Sequence, residues 1–275
     1  MKKTKKAIIT YISLLLLIVT VFSTLIIIDG RGLSENIIYA LILMYSPAIL
    51  AIIINLIFYK NLKGFGWRLG KFKYLGLSYL IPLLYILVPY TLLAVFGVIK
   101  FDFSIITGSI YLEFIKVFIV NIILLTLLVI GEEIGWRGFL LPHLCQVTTY
   151  KKASFIVGLV WVAVHLPIFI FSDYNEGVTP LYFRLFCFTI LAFSINIVIN
   201  WLRIKSGSLW TAVLLHTAHN SILQDINPLI VKSDLSEYII SESGLALMIS
   251  GLIVASIYWS KQGDLEKSLI DLRSM

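Results

Sequence analysis

Charge is what this 275-residue chain has least of: Asp, Glu, Lys and Arg make up 13% of it, against about a quarter in a soluble domain. Cysteine is almost missing as well. Cys145 and Cys187 are too few for a disulfide framework, and neither has a second thiol at metal-ligand spacing, so both read as packing residues. The chain also has no H-E-x-x-H helix of the kind that holds zinc in many peptidases. Internal repeats, low-complexity stretches and long linkers are absent, so one integral membrane domain over residues 1–275 is expected. The formal charge of +7 does not point to nucleic acid, because the basic residues are scattered between apolar runs instead of forming a stripe or tail.

What is present is hydrophobic: 59% of residues, with a mean hydropathy of +0.96. The apolar residues come in blocks near the ~20 residues that cross a bilayer as helix, not in the alternation of barrel strands. The fold class is therefore all-α, a polytopic bundle of about eight transmembrane helices. Candidate spans are Ala7–Ile28, Asn36–Tyr59, Tyr74–Val98, Tyr111–Leu141, Ala153–Phe171, Leu181–Leu202, Leu209–Ile226 and Gly244–Trp259. The first has the basic start of a secretory signal, but its apolar run is too long and ends Ile-Ile-Ile-Asp-Gly with no small-residue cleavage site, so it is read as an uncleaved span.

Lys and Arg gather on the cytoplasmic side of short loops, and here they alternate. Lys2, Lys3, Lys5 and Lys6 precede the first span; Lys60, Lys63, Arg68, Lys71 and Lys73 follow the second, Lys151 and Lys152 the fourth, Arg203 and Lys205 the sixth. The intervening segments Asp29–Glu35, Lys100–Asp102, Asp173–Glu176 and Asp225–Glu242 are richer in acids. The chain is thus expected to be integral to the cell membrane with both termini cytoplasmic.

Against this background the polar residues within the spans stand out. An ionisable group in the hydrocarbon costs at least about 2.5 kcal/mol on insertion scales and normally faces the bundle interior or a wet cavity. Glu132-Glu-Ile-Gly-Trp-Arg137 interrupts the fourth span, and Pro142 is expected to end it. On a helix Glu133 and Arg137 share a face and suit an ion pair, whereas Glu132 points about 100° away, toward Trp136 and Phe139, and is free to act as a general base. Gly131 and Gly135 offer a small face for a close helix neighbour. The same charges could serve only to fix helix packing. His165 shares a face with Trp161 and precedes Pro167; His216 and Asn220 are four apart on one face. His219 is offset from Asn220, and His143 is placed at the cytoplasmic interface without a role. Counted from the predicted cytoplasmic ends at about 1.5 Å per residue, Glu132, His165, His216 and Asn220 all lie about 12–18 Å deep. They are expected to meet at one level, in a site open toward the cytoplasm, within a catalytic core of about residues 110–226.

In these ordered motifs the chain resembles the CPBP family of CAAX proteases and bacteriocin-processing proteins, also called the Abi or type II CAAX prenyl endopeptidase family. Glu132-Glu-Ile-Gly-Trp-Arg137 reads as its E-E-x-x-x-R, His165-Leu-Pro as its second motif, and His216-Thr-Ala-His-Asn220 as its H-x-x-x-N. One departure is Trp161, where the second motif usually has Phe. The resemblance implies an intramembrane endopeptidase acting on a membrane-associated or lipidated peptide or protein, with Glu132 and His165 activating water and His216 and Asn220 stabilising the oxyanion. The family is commonly labelled metallopeptidase, and Glu132, His165 and His216 are then candidate zinc ligands; metal-free and zinc versions both stand at this point. A non-catalytic bacteriocin self-immunity or peptide-binding protein is the alternative. A coupled transporter is a third reading, but the paired broken helices of two matching halves are missing.

Overall fold

The structure is a computed structural model that describes residues 1–104, 110–174 and 177–273, with side chains of 105–118 left aside. The predicted acidic segment Asp173–Glu176 falls partly outside it, at Asn175 and Glu176. The chain is all-α: α1 (Lys2–Asp29), α2 (Ile37–Tyr59), α3 (Phe72–Val95), α4 (Ile110–Glu133), α5 (Leu141–Val147), α6 (Tyr150–Phe171), α7 (Leu181–Ser206), α8 (Leu209–Ile226), α9 (Asp234–Ile239), α10 (Leu245–Ser260) and α11 (Glu266–Arg273). Local chemistry sets several ends. Gly30 and Gly207 close α1 and α7 with φ of 72° and 70°, a left-handed conformation that glycine adopts without steric cost. Thr149 and Ser208 cap α6 and α8 by accepting hydrogen bonds from the Lys152 and Trp210 amides.

Seven helices among the described residues are long and apolar enough to cross a membrane; α8, expected as an eighth span, is not one of them. The reason is its function-bearing content, since His216, His219, Asn220, Gln224 and Asp225 all lie in it. α8 is enclosed instead, packed against α3, α4 and α7. The outward faces of α1, α2, α3 and α10 expose apolar side chains such as Leu17, Ile53, Leu84 and Ile253, which lipid covers in a membrane protein.

Pro142 does not end its helix. Residues Ile134–Leu140 form a π-helical turn, with the Leu141 amide bonded to the Trp136 carbonyl, and the rod continues through Pro142 to Val147. A proline lacks the amide that an α-helix interior requires, and the change of register just before it removes that demand. His143 lies near the Lys-rich end, packed on Tyr59. It is buried, with Nδ1 on the Phe139 carbonyl at 2.7 Å and its ring 4.2 Å from that of Phe139.

The two ends of the bundle differ. At the end carrying the Lys-rich segments, Phe65 is fully buried against Phe139. Arg203 there donates to the Arg137 and Gly64 carbonyls at 2.9 and 2.7 Å, and the Leu209 amide bonds to Gly66. At the opposite end, Asp173 receives the Leu33 amide at 2.5 Å and the Ser34 hydroxyl at 2.6 Å. The Ser34 hydrogen bond, with the backbone amides, holds the Asp173 carboxyl below the usual carboxylate range.

α2 approaches the fourth span closely, as the glycine pair predicts. A Cβ on Gly135 would lie 2.5 Å from the Tyr11 hydroxyl and overlap Pro47; on Gly131 it would lie 2.7 Å from the Met44 carbonyl. Gly135→Ala is therefore expected to destabilise purified protein by about 1–3 kcal/mol, the usual effect of overpacking. Gly76→Ala, where a Cβ meets nothing within 4 Å, serves as the control in the same thermal unfolding assay and should not shift.

Candidate active site

The last two residues of α4, Glu132 and Glu133, point in different directions. Glu133 and Arg137 have no exposed side-chain surface, and their ion pair, Nη1 to Oε1, is 2.9 Å long. A buried guanidinium needs more than one partner. Asn200 accepts from Nε at 3.2 Å and Asn196 accepts from Nη2 at 3.1 Å, both from α7. The two amides are themselves held, Asn196 donating to the Ser154 carbonyl at 2.9 Å and Asn200 to the Ser154 hydroxyl at 3.0 Å, on α6. The His216 Nδ1 reaches Glu133 Oε1 at 2.9 Å. Four helical segments are thereby joined through one ion pair.

Glu132 faces the other way, into a cavity of about 840 Å³ that it lines with His165, His216, His219 and Asn220. Glu133 and Arg137 lie behind the wall and do not line it. One oxygen of Glu132, Oε2, accepts both indole N–H groups, from Trp161 at 3.2 Å and Trp136 at 3.4 Å. Its other oxygen is left for the cavity. His165 Nδ1 lies 2.7 Å from the Trp161 carbonyl; a carbonyl only accepts, so Nδ1 carries a proton, and in the neutral ring Nε2 is an acceptor.

Trp161 connects these groups. Besides its bonds to Glu132 and His165, its ring lies 5.3 Å from the His216 ring and 4.6 Å from the Arg137 guanidinium carbon, a cation–π distance. The indole N–H gives Glu132 a hydrogen bond that Phe cannot supply.

His219 belongs to a second chain of contacts. Its Nδ1 meets the Tyr85 hydroxyl at 2.5 Å and its Nε2 meets Glu242 at 3.2 Å. Burial pushes the Glu242 carboxyl up, but the His219 hydrogen bond and the His219, His216 and His165 imidazoles outweigh it and hold the group below its ordinary value.

Zinc was one of two open versions of the site. Among the described residues no three His, Cys, Asp or Glu side chains are grouped so that they could hold an ion.

The depth and the opening also differ from expectation. α6 starts at Tyr150, not Ala153, because Lys151 and Lys152 are already helical. His165 therefore lies only about 9 Å from the far end of α6 at Phe171. The cavity is lined by Leu33, Tyr174, Lys232 and Glu242, from the segments at the end opposite the Lys-rich ones. The site does not open toward the Lys-rich end.

Several residues of the site escaped sequence reading. Asn196 and Asn200 carry an i, i+4 signal within an apolar span, the same spacing that exposed Glu133 and Arg137, but being uncharged they drew no notice. Tyr85 and Glu242 come from distant segments and have no local signature. Trp136 and Trp161 were visible only as aromatic neighbours.

Known proteins place the motifs in a family. The model of the Rce1-like type II CAAX prenyl endopeptidases matches residues 82–222. A protein of Methanococcus maripaludis named CAAX prenyl protease 2 is 29% identical over 205 residues, 70% of this chain and 70% of that protein. The match takes in Glu132, Glu133, Arg137, His165, His216 and Asn220, together with the α7 asparagines behind them. This chain, a multi-pass membrane protein with a polar site enclosed between its helices, belongs to the Rce1-like type II CAAX prenyl endopeptidase family and is an intramembrane endopeptidase.

Proposed function

We propose that the chain hydrolyses a peptide bond of a membrane-associated peptide or protein with water activated by Glu132. The observation that carries this reading is the pairing of Glu132, half held by two indoles and half free, with an imidazole acceptor from His165 on the wall of the same cavity. Glu132 takes a proton from the water, and His165 Nε2 accepts a hydrogen bond that orients it. The water oxygen bonds to the carbonyl carbon, and the C=O electron pair moves onto oxygen. The Asn220 amide and His216 meet that oxyanion. In its charged form His216 donates from both nitrogens, Nδ1 to Glu133 and Nε2 to the oxyanion. Collapse of the intermediate breaks the C–N bond, and the proton on Glu132 passes to the leaving amine. No step is routed through zinc.

The name of the archaeal relative suggests a lipidated protein as substrate, and a largely apolar cavity wall is compatible with a lipid chain or apolar side chains. Both termini lie on the cytoplasmic face in this reading, supported by the Lys-rich segments. A binding or immunity role without catalysis would use the same cavity, but it gives no reason for a half-free carboxylate on the same cavity wall as three histidines.

Glu132→Gln keeps the shape and the indole bonds but removes the base. Purified Glu132→Gln protein is expected to insert and fold normally and to lose about 10²- to 10⁴-fold in cleavage rate; full activity would sink the assignment. Trp161→Phe removes one hydrogen bond to a charged group while keeping the ring against His216 and Arg137. kcat should fall about tenfold with KM nearly unchanged, corresponding to a bond of about 1.5 kcal/mol. An unchanged kcat would show that the indole only packs.

A further inference from the structure

Residues 60–71, which join α2 to α3, take no part in peptide hydrolysis, yet they follow a pattern. Lys60, Lys63, Arg68 and Lys71, with Lys73 in the first turn of α3, are interleaved with Leu62, Phe65, Trp67, Leu69 and Phe72. No Asp or Glu occurs between Glu35 and Asp102, so nothing in the segment or in the two spans it joins offsets these charges. All five cations are exposed, and among the described residues none of them forms an ion pair. Phe65 is fully buried, whereas Trp67, Leu69 and Phe72 are 41%, 55% and 82% exposed.

These outward side chains stand on a fixed backbone. The Gly64 carbonyl receives Arg203 at 2.7 Å, the Gly66 carbonyl the Leu209 amide at 2.7 Å and the Trp67 carbonyl the Trp210 indole at 2.8 Å. Gly66, with φ of 84°, sits so close to Arg203 that a Cβ there would lie 2.7 Å from the guanidinium carbon. The Trp67 ring stacks on Phe65 with centroids 5.5 Å apart. Both ends of the segment are ends of spans, which puts it at the membrane–water boundary, where Trp and basic residues gather. Phe72 precedes the exposed Tyr79 by seven residues on one face of α3, so the apolar edge of the segment continues into a lipid-facing surface.

We propose that this segment is a binding site for anionic phospholipid, with Lys63, Arg68 and Lys71 meeting the phosphate and Trp67, Leu69 and Phe72 entering the acyl boundary, and that its occupancy stabilises the helices holding the active site. Charge complementarity selects the headgroup, because a zwitterionic lipid brings its own cation against uncompensated lysines. Each Lys or Arg near an anionic bilayer surface strengthens attachment about fivefold. Arg203 carries the coupling inward: Nη2 holds Gly64 while Nε holds the Arg137 carbonyl at 2.9 Å. Leu209 and Trp210 belong to the first turn of α8, two turns before His216. Lipid that fixes the segment therefore restrains the fourth span and α8 together, and a ligand bound only to the folded form raises its stability by mass action.

Thermal unfolding of the purified full-length chain in neutral detergent tests the proposal without catalysis, so its outcome is separate from that of the peptidase reading. Dioleoyl phosphatidylglycerol is expected to raise the unfolding temperature saturably, and dioleoyl phosphatidylcholine to leave it unchanged. The phosphatidylglycerol concentration giving half the shift should rise about fivefold in Lys63→Gln and about 25-fold in Arg68→Gln/Lys71→Gln protein. Lys151→Gln/Lys152→Gln protein loses the same charge at the same end of the bundle but outside the segment, and should respond like the unmodified chain. Screening of like charges is separated from lipid binding by sodium phosphate and glycerol phosphate, which are expected to give no shift at the same concentrations. An equal shift with phosphatidylcholine or with either soluble phosphate, or equal losses in the two double variants, would overturn the proposal.

Discussion

The site depends on a single ion pair in a place where ions are costly. Glu133 and Arg137 are fully withdrawn from solvent, and a charge left alone there would be worth several kcal/mol against the folded state. Each must therefore be met, and meeting them dictates much of the surrounding packing. The guanidinium draws Asn196 and Asn200 of α7 to the fourth span, and the asparagines draw Ser154 of α6. The carboxylate draws His216 of α8. In a bilayer, where helices gain nothing from burying apolar surface against one another rather than against lipid, such polar contacts and close small-residue packing specify which faces meet.

The pair also explains how two neighbouring glutamates acquire different chemistry. One residue of rotation takes Glu132 out of the charge network and into the cavity, where its partners are neutral indoles rather than a guanidinium. A carboxylate held by a guanidinium and closed off from the cavity is a poor proton acceptor, while one with an oxygen facing the cavity is available. Trp161 belongs to both arrangements, stacked on Arg137 and bonded to Glu132, so the buried network fixes the position of the group that meets the water.

Much of this was legible in the residues themselves. Apolar blocks marked the spans, and the four-residue spacing of Glu133 and Arg137 foretold their ion pair because helical geometry alone decides which side chains share a face. The close approach of α2 followed from Gly131 and Gly135. Other features needed the third dimension. The π-helical turn has no sequence signature apart from Pro142 surviving inside a helix. α8 read as a spanning helix because enclosure by α3, α4 and α7 cannot be seen in its own sequence. The direction of the cavity departs from the sequence expectation because α6 begins at Tyr150, ahead of Ala153 and with two lysines in its first turn, and the fourth span runs on past Pro142 to Val147, which sets Glu132 and His165 farther from the Lys-rich end.

The central claim is the division of labour between adjacent carboxylates, one holding the fold and the other free for chemistry. Reversible unfolding of detergent-solubilised Glu133→Gln and Glu132→Gln proteins, measured side by side against the unmodified chain, tests it most directly. Glu133→Gln leaves Arg137 buried without its counter-charge and should lose about 3–5 kcal/mol of stability, while Glu132→Gln, whose carboxylate has no ionic partner, should stay within about 1 kcal/mol. Equal losses from the two substitutions, or a larger loss at Glu132, would contradict it.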